Sequence, residues 1–158
     1  MRATTLPPDF VATERIGCQV EAGSKKRVLE TVGRLLSSGD PELTQEGVFN
    51  RLLERERLGS TGLGRGVALP HARMAGVSQP LGAFVKLEAP VEYDAIDGAP
   101  VDLIFGLLVP EEATQEHLDL LGFLAAVFSD AKLCARLRGD CTPEQVLNEI
   151  LHFHSESA

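Results

Sequence analysis

The chain has 158 residues, 44% of them apolar, with 15 basic and 23 acidic side chains and a formal net charge of −8. That length suits one domain able to bury roughly 70% of its unfolded surface unaided, and a pI near 5.0 argues against nucleic-acid binding or attraction to anionic lipid. The longest apolar run, Leu103 to Val109, is far below the ~18 residues of a membrane span. Residues 1 to 15 show no basic segment followed by an apolar one. A soluble, cytoplasmic protein without direct membrane insertion is expected.

Residues 1–9 read as an N-terminal arm, 10–153 as one domain and 154–158 as a C-terminal tail. Cys18, Cys134 and Cys141 are odd in number and contain no C-x-x-C pair, which predicts buried thiols in a reducing compartment and neither a disulfide framework nor a zinc site.

Ile16 to Val20 is a strand candidate. Ser24 then looks like the N-cap of a helix with Val28, Leu29, Val32, Leu35 and Leu36 on one face, ended by Gly39. A second helix, capped by Asp40 with Pro41 or by Thr44, should turn Val48, Phe49, Leu52 and Leu53 inward and end near Arg57. Arg51 and Arg55 lie one turn apart on it, and Arg55 should reach the loop that follows. The simple alternative for these arginines is a solvated face paired with Glu54 and Glu56.

That loop opens a stretch, RERLGSTGLGRGVALPHAR, that differs from the rest of the chain. From Arg51 to Arg73 there are five arginines against two glutamates, although the whole chain is acidic. Glycine-freed N–H groups and guanidinium forks suit an anion. Pro70 fixes its own φ and pushes Leu69 into extended geometry, so His71 should sit at the mouth of a strand, presented to solvent. GSTGLGRG is not a Walker A loop, since no Gly-Lys-Ser/Thr follows, and a helical pattern precedes it where a Rossmann fingerprint needs a strand.

Gly82 to Leu87 reads as a strand. Val101 to Val109, nearly all apolar, reads as a central strand covered on both faces and stopped by Pro110. Asp94, Asp97 and Asp102 between and within these strands lack EF-hand spacing. A helix over 113–128 should bury Leu118, Leu121, Leu124, Ala125 and Phe128, with His117 on or beside that stripe, at a helix start where ligand crevices open in α/β sheets. A short helix follows from Asp130 to Arg138. The last, with a Thr142–Gln145 capping box and Pro143 at its first position, should bury Val146, Leu147, Ile150 and Leu151. His152 and His154 then fall in a fraying tail. The whole predicts a single α/β domain, a mixed β-sheet flanked by helices on both faces.

RERLGSTGLGRGVALPHAR resembles the phosphorylation-site motif of enzyme IIA of the bacterial phosphotransferase system, fructose and mannitol class. YDAIDGAPVDLIFGLLVP followed by EEATQEHL resembles the nitrogen-regulatory branch, and the likeness extends over about residues 10 to 152. The resemblance implies that His71 accepts a phosphoryl group at Nε2 from a histidine phosphocarrier protein of the nitrogen branch. It implies that His117 orients the phosphoryl group and that Arg55 balances its charge. No cofactor and no metal are implied. The remaining arginines are assigned to docking or solubility.

The function implied is a phosphotransferase acting through a phosphohistidine intermediate, a carrier that signals phosphorylation state to regulatory target proteins of nitrogen and potassium metabolism. Alternatives are a sugar-specific enzyme IIA passing phosphate to a separate membrane transporter B domain, a binding module that is never phosphorylated, and a zinc hydrolase using His71 and His117, which lacks a third ligand. Ala72 stands where relatives commonly have glycine; if that position needed a positive φ, Ala72 would be strained by ~1 kcal/mol or more.

Overall fold

The computed structural model describes residues 6–139 and 141–157. Its centre is the strand β6 (Val101–Pro110), in which Ile104 and Leu108 face one side of the sheet and Leu103, Phe105, Leu107 and Val109 the other. Because both faces are covered, the strand is apolar at every position but Asp102, near its start. Antiparallel to it runs β5 (Leu81–Val91), whose outer neighbour is β1 (Ile16–Val20), parallel to β5. The other edge of β6 is shared by two short strands in succession, β3 (Val67–Ala68) and β4 (His71–Met74), both parallel to it, while β2 (Gly62–Gly64) is antiparallel to β3. The sheet is mixed, as expected.

On one face lie α1 (Lys25–Ser37) and α2 (Gln45–Leu58). The Ser24 hydroxyl caps α1 by accepting the Arg27 N–H at 3.2 Å, and Val28, Leu29, Val32 and Leu36 are fully buried beneath it. The helix approaches the sheet so closely that a Cβ on Gly106 of β6 would fall 2.3 Å from Val32 Cγ1. Of the two caps foreseen for α2, Thr44 serves, accepting the Gly47 N–H at 3.0 Å; Asp40 instead accepts the Glu42 N–H in the preceding turn.

The other face carries α3 (Thr114–Ser129), α4 (Ala131–Gly139) and α5 (Pro143–Ser157) over Phe84, Phe105 and Leu107. Asp130 caps α4 through the Lys132 and Leu133 N–H groups, both at 3.0 Å, and Thr142 caps α5 through Gln145 N–H at 3.1 Å. An Arg136–Glu149 ion pair joins α4 to α5.

Three expectations need correction. Cys18 of β1 and Cys141, just before α5, form a disulfide with Cα atoms 5.9 Å apart, and only Cys134 is a free, buried thiol. An odd cysteine count does not forbid one pair, and sequence separation hides two residues that the sheet brings together. In α3 the buried side chains are Leu120, Phe123, Leu124, Val127 and Phe128, whereas Leu118 is 63% exposed; the helix is apolar nearly all round, so its period did not select the face. α5 runs on through Ser157: His152 pairs with Glu156 at 3.4 Å and His154 meets the ring of Phe123, so the histidines lie on the helix, and Leu151 is about half exposed.

Candidate functional site

His71 is the first residue of β4, in register with Leu107 of β6. Alternation along the short strand turns Ala72 and Met74 into the core beneath α1 and α2, which leaves His71 and Arg73 on the opposite side, toward the start of α3. Ala72 is ordinary extended strand and does not carry a positive φ, so the strain considered for it is absent. Arg51 of α2 donates from Nε and Nη2 to the Arg73 carbonyl at 3.2 and 2.8 Å, which ties the end of β4 to the helix.

The glycine-rich loop has a different use from the anion cradle expected of it. Gly64, Arg65 and Gly66 form a turn with φ of 98°, 58° and 81°. The Arg65 N–H is spent on Asp97 Oδ2 at 2.8 Å, and a Cβ on Gly66 would strike Arg138 Nη2 at 2.6 Å. Asp102 is held by Arg138 and Asp97 also accepts the Ala99 N–H, so these carboxylates secure loops. The glycines permit a tight, crowded turn; none of them lines the cleft at His71.

That cleft, about 490 Å³, is lined by Arg51, Glu54, Arg55, Leu58, His71, Ala72, Arg73, Thr114, His117 and Leu118. The three residues singled out from the sequence, His71, His117 and Arg55, are therefore brought together, from β4, the first turn of α3 and the last turn of α2. His71 Nδ1 lies 2.6 Å from the Leu69 carbonyl oxygen. A carbonyl only accepts, so Nδ1 carries the proton and Nε2 keeps its lone pair. The rings of His71 and His117 meet edge-on, centroids 5.3 Å apart. His117 Nε2 is buried and has no hydrogen-bond partner.

Both imidazoles are held neutral. Burial lowers the His71 pKa, opposed by the Leu69 bond and assisted by Arg55. Burial, then the neighbouring His71, Arg73 and Arg55, pushes His117 down to about 4. Arg55 Nη1 donates to the Gly59 carbonyl at 2.9 Å, which keeps its positive charge over the C-terminal end of α2 beside the cleft. The arrangement offers one uncharged nucleophilic nitrogen, one unspent imidazole nitrogen and guanidinium charge: the groups needed to receive a compact oxyanion.

Arg73 and Thr114 belong to this cleft and were not singled out beforehand; Arg73 follows from strand alternation once β4 is known. Glu56, expected on a solvated face, is buried.

The chain that builds this cleft is similar to known proteins. A family profile described as “Phosphoenolpyruvate-dependent sugar phosphotransferase system, EIIA 2” matches residues 9–153. A Pseudomonas aeruginosa protein named nitrogen regulatory protein is 51% identical over 125 residues, covering 79% of this chain and 81% of its own. The crystal structure of nitrogen regulatory protein IIA-Ntr from Neisseria meningitidis matches with a TM-score of 0.85 at 46% identity, over 90% of this chain and 97% of that one. The mannitol IIA of Escherichia coli, TM-score 0.74 at 22% identity over 89% of this chain and 98% of its own, shares the fold. Among the described residues no helix is long and apolar enough to cross a membrane.

Proposed function

Because the chain belongs to the phosphoenolpyruvate-dependent sugar phosphotransferase system EIIA 2 family, we propose that it is a regulatory phosphocarrier: His71 accepts a phosphoryl group from a histidine phosphocarrier protein of the nitrogen branch, and the phosphorylated surface signals to regulatory target proteins. The single observation that carries this reading is the His71 Nδ1 hydrogen bond to the Leu69 carbonyl, which leaves Nε2 free at the cleft.

The His71 Nε2 lone pair attacks phosphorus as the bond to the donor's imidazole nitrogen breaks. That nitrogen leaves with the electron pair. His71 becomes a phosphoimidazole whose Nδ1–H remains on Leu69, where the carbonyl dipole stabilises the growing positive charge on the ring. Transfer of this kind needs alignment and neutralisation of the equatorial oxygens more than covalent assistance. His117, in the tautomer with a proton on Nε2, hydrogen-bonds through that N–H to a phosphoryl oxygen without giving the proton up, and Arg55 offsets the charge that arrives. A neutral His71 is required, since a protonated ring has no lone pair at Nε2.

A phosphoimidazole adds negative charge and strong acceptors to an exposed rim containing Leu58 and Leu118, a change able to switch association of a partner on or off. The similarity to proteins named nitrogen regulatory protein favours regulation over sugar transport.

Intact mass under alkaline conditions tests the proposal: wild type incubated with a nitrogen-branch phosphocarrier and its kinase gains one phosphoryl group, and His71→Ala gains none. No gain by wild type from either that donor or the sugar-branch donor would overturn it. Rapid onward transfer to a purified transporter B domain would favour a sugar-specific role instead.

A further inference from the structure

We propose that Glu56 and Thr61 are positioning residues for the nucleophile, fixing through Leu69 the carbonyl that keeps His71 in its Nδ1–H tautomer. The inference rests on the reading of His71 as the phosphoryl acceptor.

Glu56 follows Arg55 on α2 but is turned about 100° from it, into the protein, where it is 7% exposed. Its carboxylate accepts the Thr61 N–H at 3.1 Å, the Thr61 hydroxyl and the Tyr93 hydroxyl at 3.2 Å, and it pairs with Lys25 Nζ at 2.8 Å. A buried carboxylate with this many donors is a rigid anchor, because moving it would strand several of them.

What the anchor holds is one residue, Thr61, in the loop before β2, gripped by its N–H and hydroxyl. The Thr61 carbonyl accepts the Leu69 N–H at 3.0 Å, the next rung after the Gly62–Ala68 pair of the β2–β3 ladder. Beyond Leu69 comes Pro70, which has no N–H to donate. The Pro70 carbonyl is taken by Leu107 N–H at 2.9 Å. The Leu69–Pro70 peptide is thus clamped between the Thr61 rung and β6, and the oxygen it presents is the one that receives the His71 Nδ1–H. Glu56 also joins three separate segments, α1 through Lys25, the glycine-rich loop through Thr61 and the β5–β6 connection through Tyr93.

A carboxylate that served packing alone would be replaceable without a change at His71. A positioning role makes a specific demand: when the Thr61 peptide is released, the Leu69 oxygen loses its place, the Nε2–H tautomer of His71 gains population, and Nε2 loses its lone pair.

The test uses full-length Glu56→Gln, Thr61→Val and Thr61→Ser, each checked for folding. The His71 tautomer is read in the unphosphorylated protein from ring ¹⁵N shifts, and phosphoryl uptake from the charged phosphocarrier is read as kcat and KM. Glu56→Gln and Thr61→Val should raise the Nε2–H fraction and lower kcat roughly 10- to 100-fold with little change in KM. Thr61→Ser, which keeps the hydroxyl, should restore both. If Glu56→Gln does not fold, Thr61→Val decides. An unchanged tautomer in the folded variants overturns the proposal, as does a rise in KM alone. Because the tautomer is measured without any donor, failure of His71 to accept phosphate leaves this readout intact and separates the two conclusions.

Discussion

The ring of His117 meets the ring of His71 at 66° with centroids 5.3 Å apart, and each lies within reach of the Arg55 field. Two imidazoles so placed disfavour each other's protonation, and burial adds to that effect.

Phosphoryl uptake should accordingly resist acid. Both histidines have lowered pKa values, His117 to about 4, so the acid-side fall in uptake should have its midpoint below the ordinary imidazole value of about 6.5. The same shifts act on stability. Between about 6.5 and about 4 the unfolded chain binds a proton at position 117 that the native state refuses, so stability present above about pH 6.5 is lost as pH falls through that window. Urea midpoints against pH for wild type and His117→Gln check this; parallel curves would remove His117 from the acid response.

Arg55 stands over the end of α2 beside the cleft, bonded to the Gly59 carbonyl. On the proposed mechanism, Arg55→Ala slows phosphorylation of His71 about 10- to 100-fold. Arg55→Lys should recover part of the loss, since an ammonium supplies charge without the planar fork. Initial rates measured by intact mass decide it. A rate unchanged from wild type would remove Arg55 from the mechanism.

The Cys18–Cys141 bond closes a loop with a sequence separation of 123 residues, tying β1 to the start of α5. Constraining so long a segment of the unfolded chain is worth about 2–4 kcal/mol. Urea unfolding of wild type should therefore shift to lower midpoint with reductant, while Cys18→Ser should unfold at that lower midpoint with or without it. A wild-type midpoint indifferent to reductant would mean that the pair stays reduced in solution.

Gly106 lets α1 press onto the centre of the sheet. Gly106→Ala places a methyl group 2.3 Å from Val32 Cγ1, and a β-branched side chain in a helix has no second rotamer to retreat to. The expected loss is about 1–3 kcal/mol, with Val32→Ala in the same chain recovering part of it. Additive losses in that double variant would show that the contact is not the cause.

Much of this protein is legible along the chain because the signals are local. Ser24, Thr44, Asp130 and Thr142 each satisfy N–H groups only two or three residues away. The run from Val101 reads as a covered strand because every position but Asp102 is apolar, and Pro70 delivers His71 to a strand start through a constraint on a single dihedral angle. The RERLGSTGLGRGVALPHAR motif and the later His117 point to the family whose profile matches residues 9–153. Tertiary structure decided the rest. α3 carries apolar side chains on nearly every side, so only docking against Phe84 and Phe105 of the sheet and Phe153 of α5 could bury Phe128 and Phe123 and leave Leu118 in the open. Neighbouring Arg55 and Glu56 look alike as helix-surface charges, yet one faces the cleft and the other a buried set of donors drawn from three segments. Cys18 reaches Cys141, and His71 reaches His117, because a sheet edge and a helix start meet in space. Such encounters depend on how the layers pack, and no periodicity or spacing along the chain encodes them.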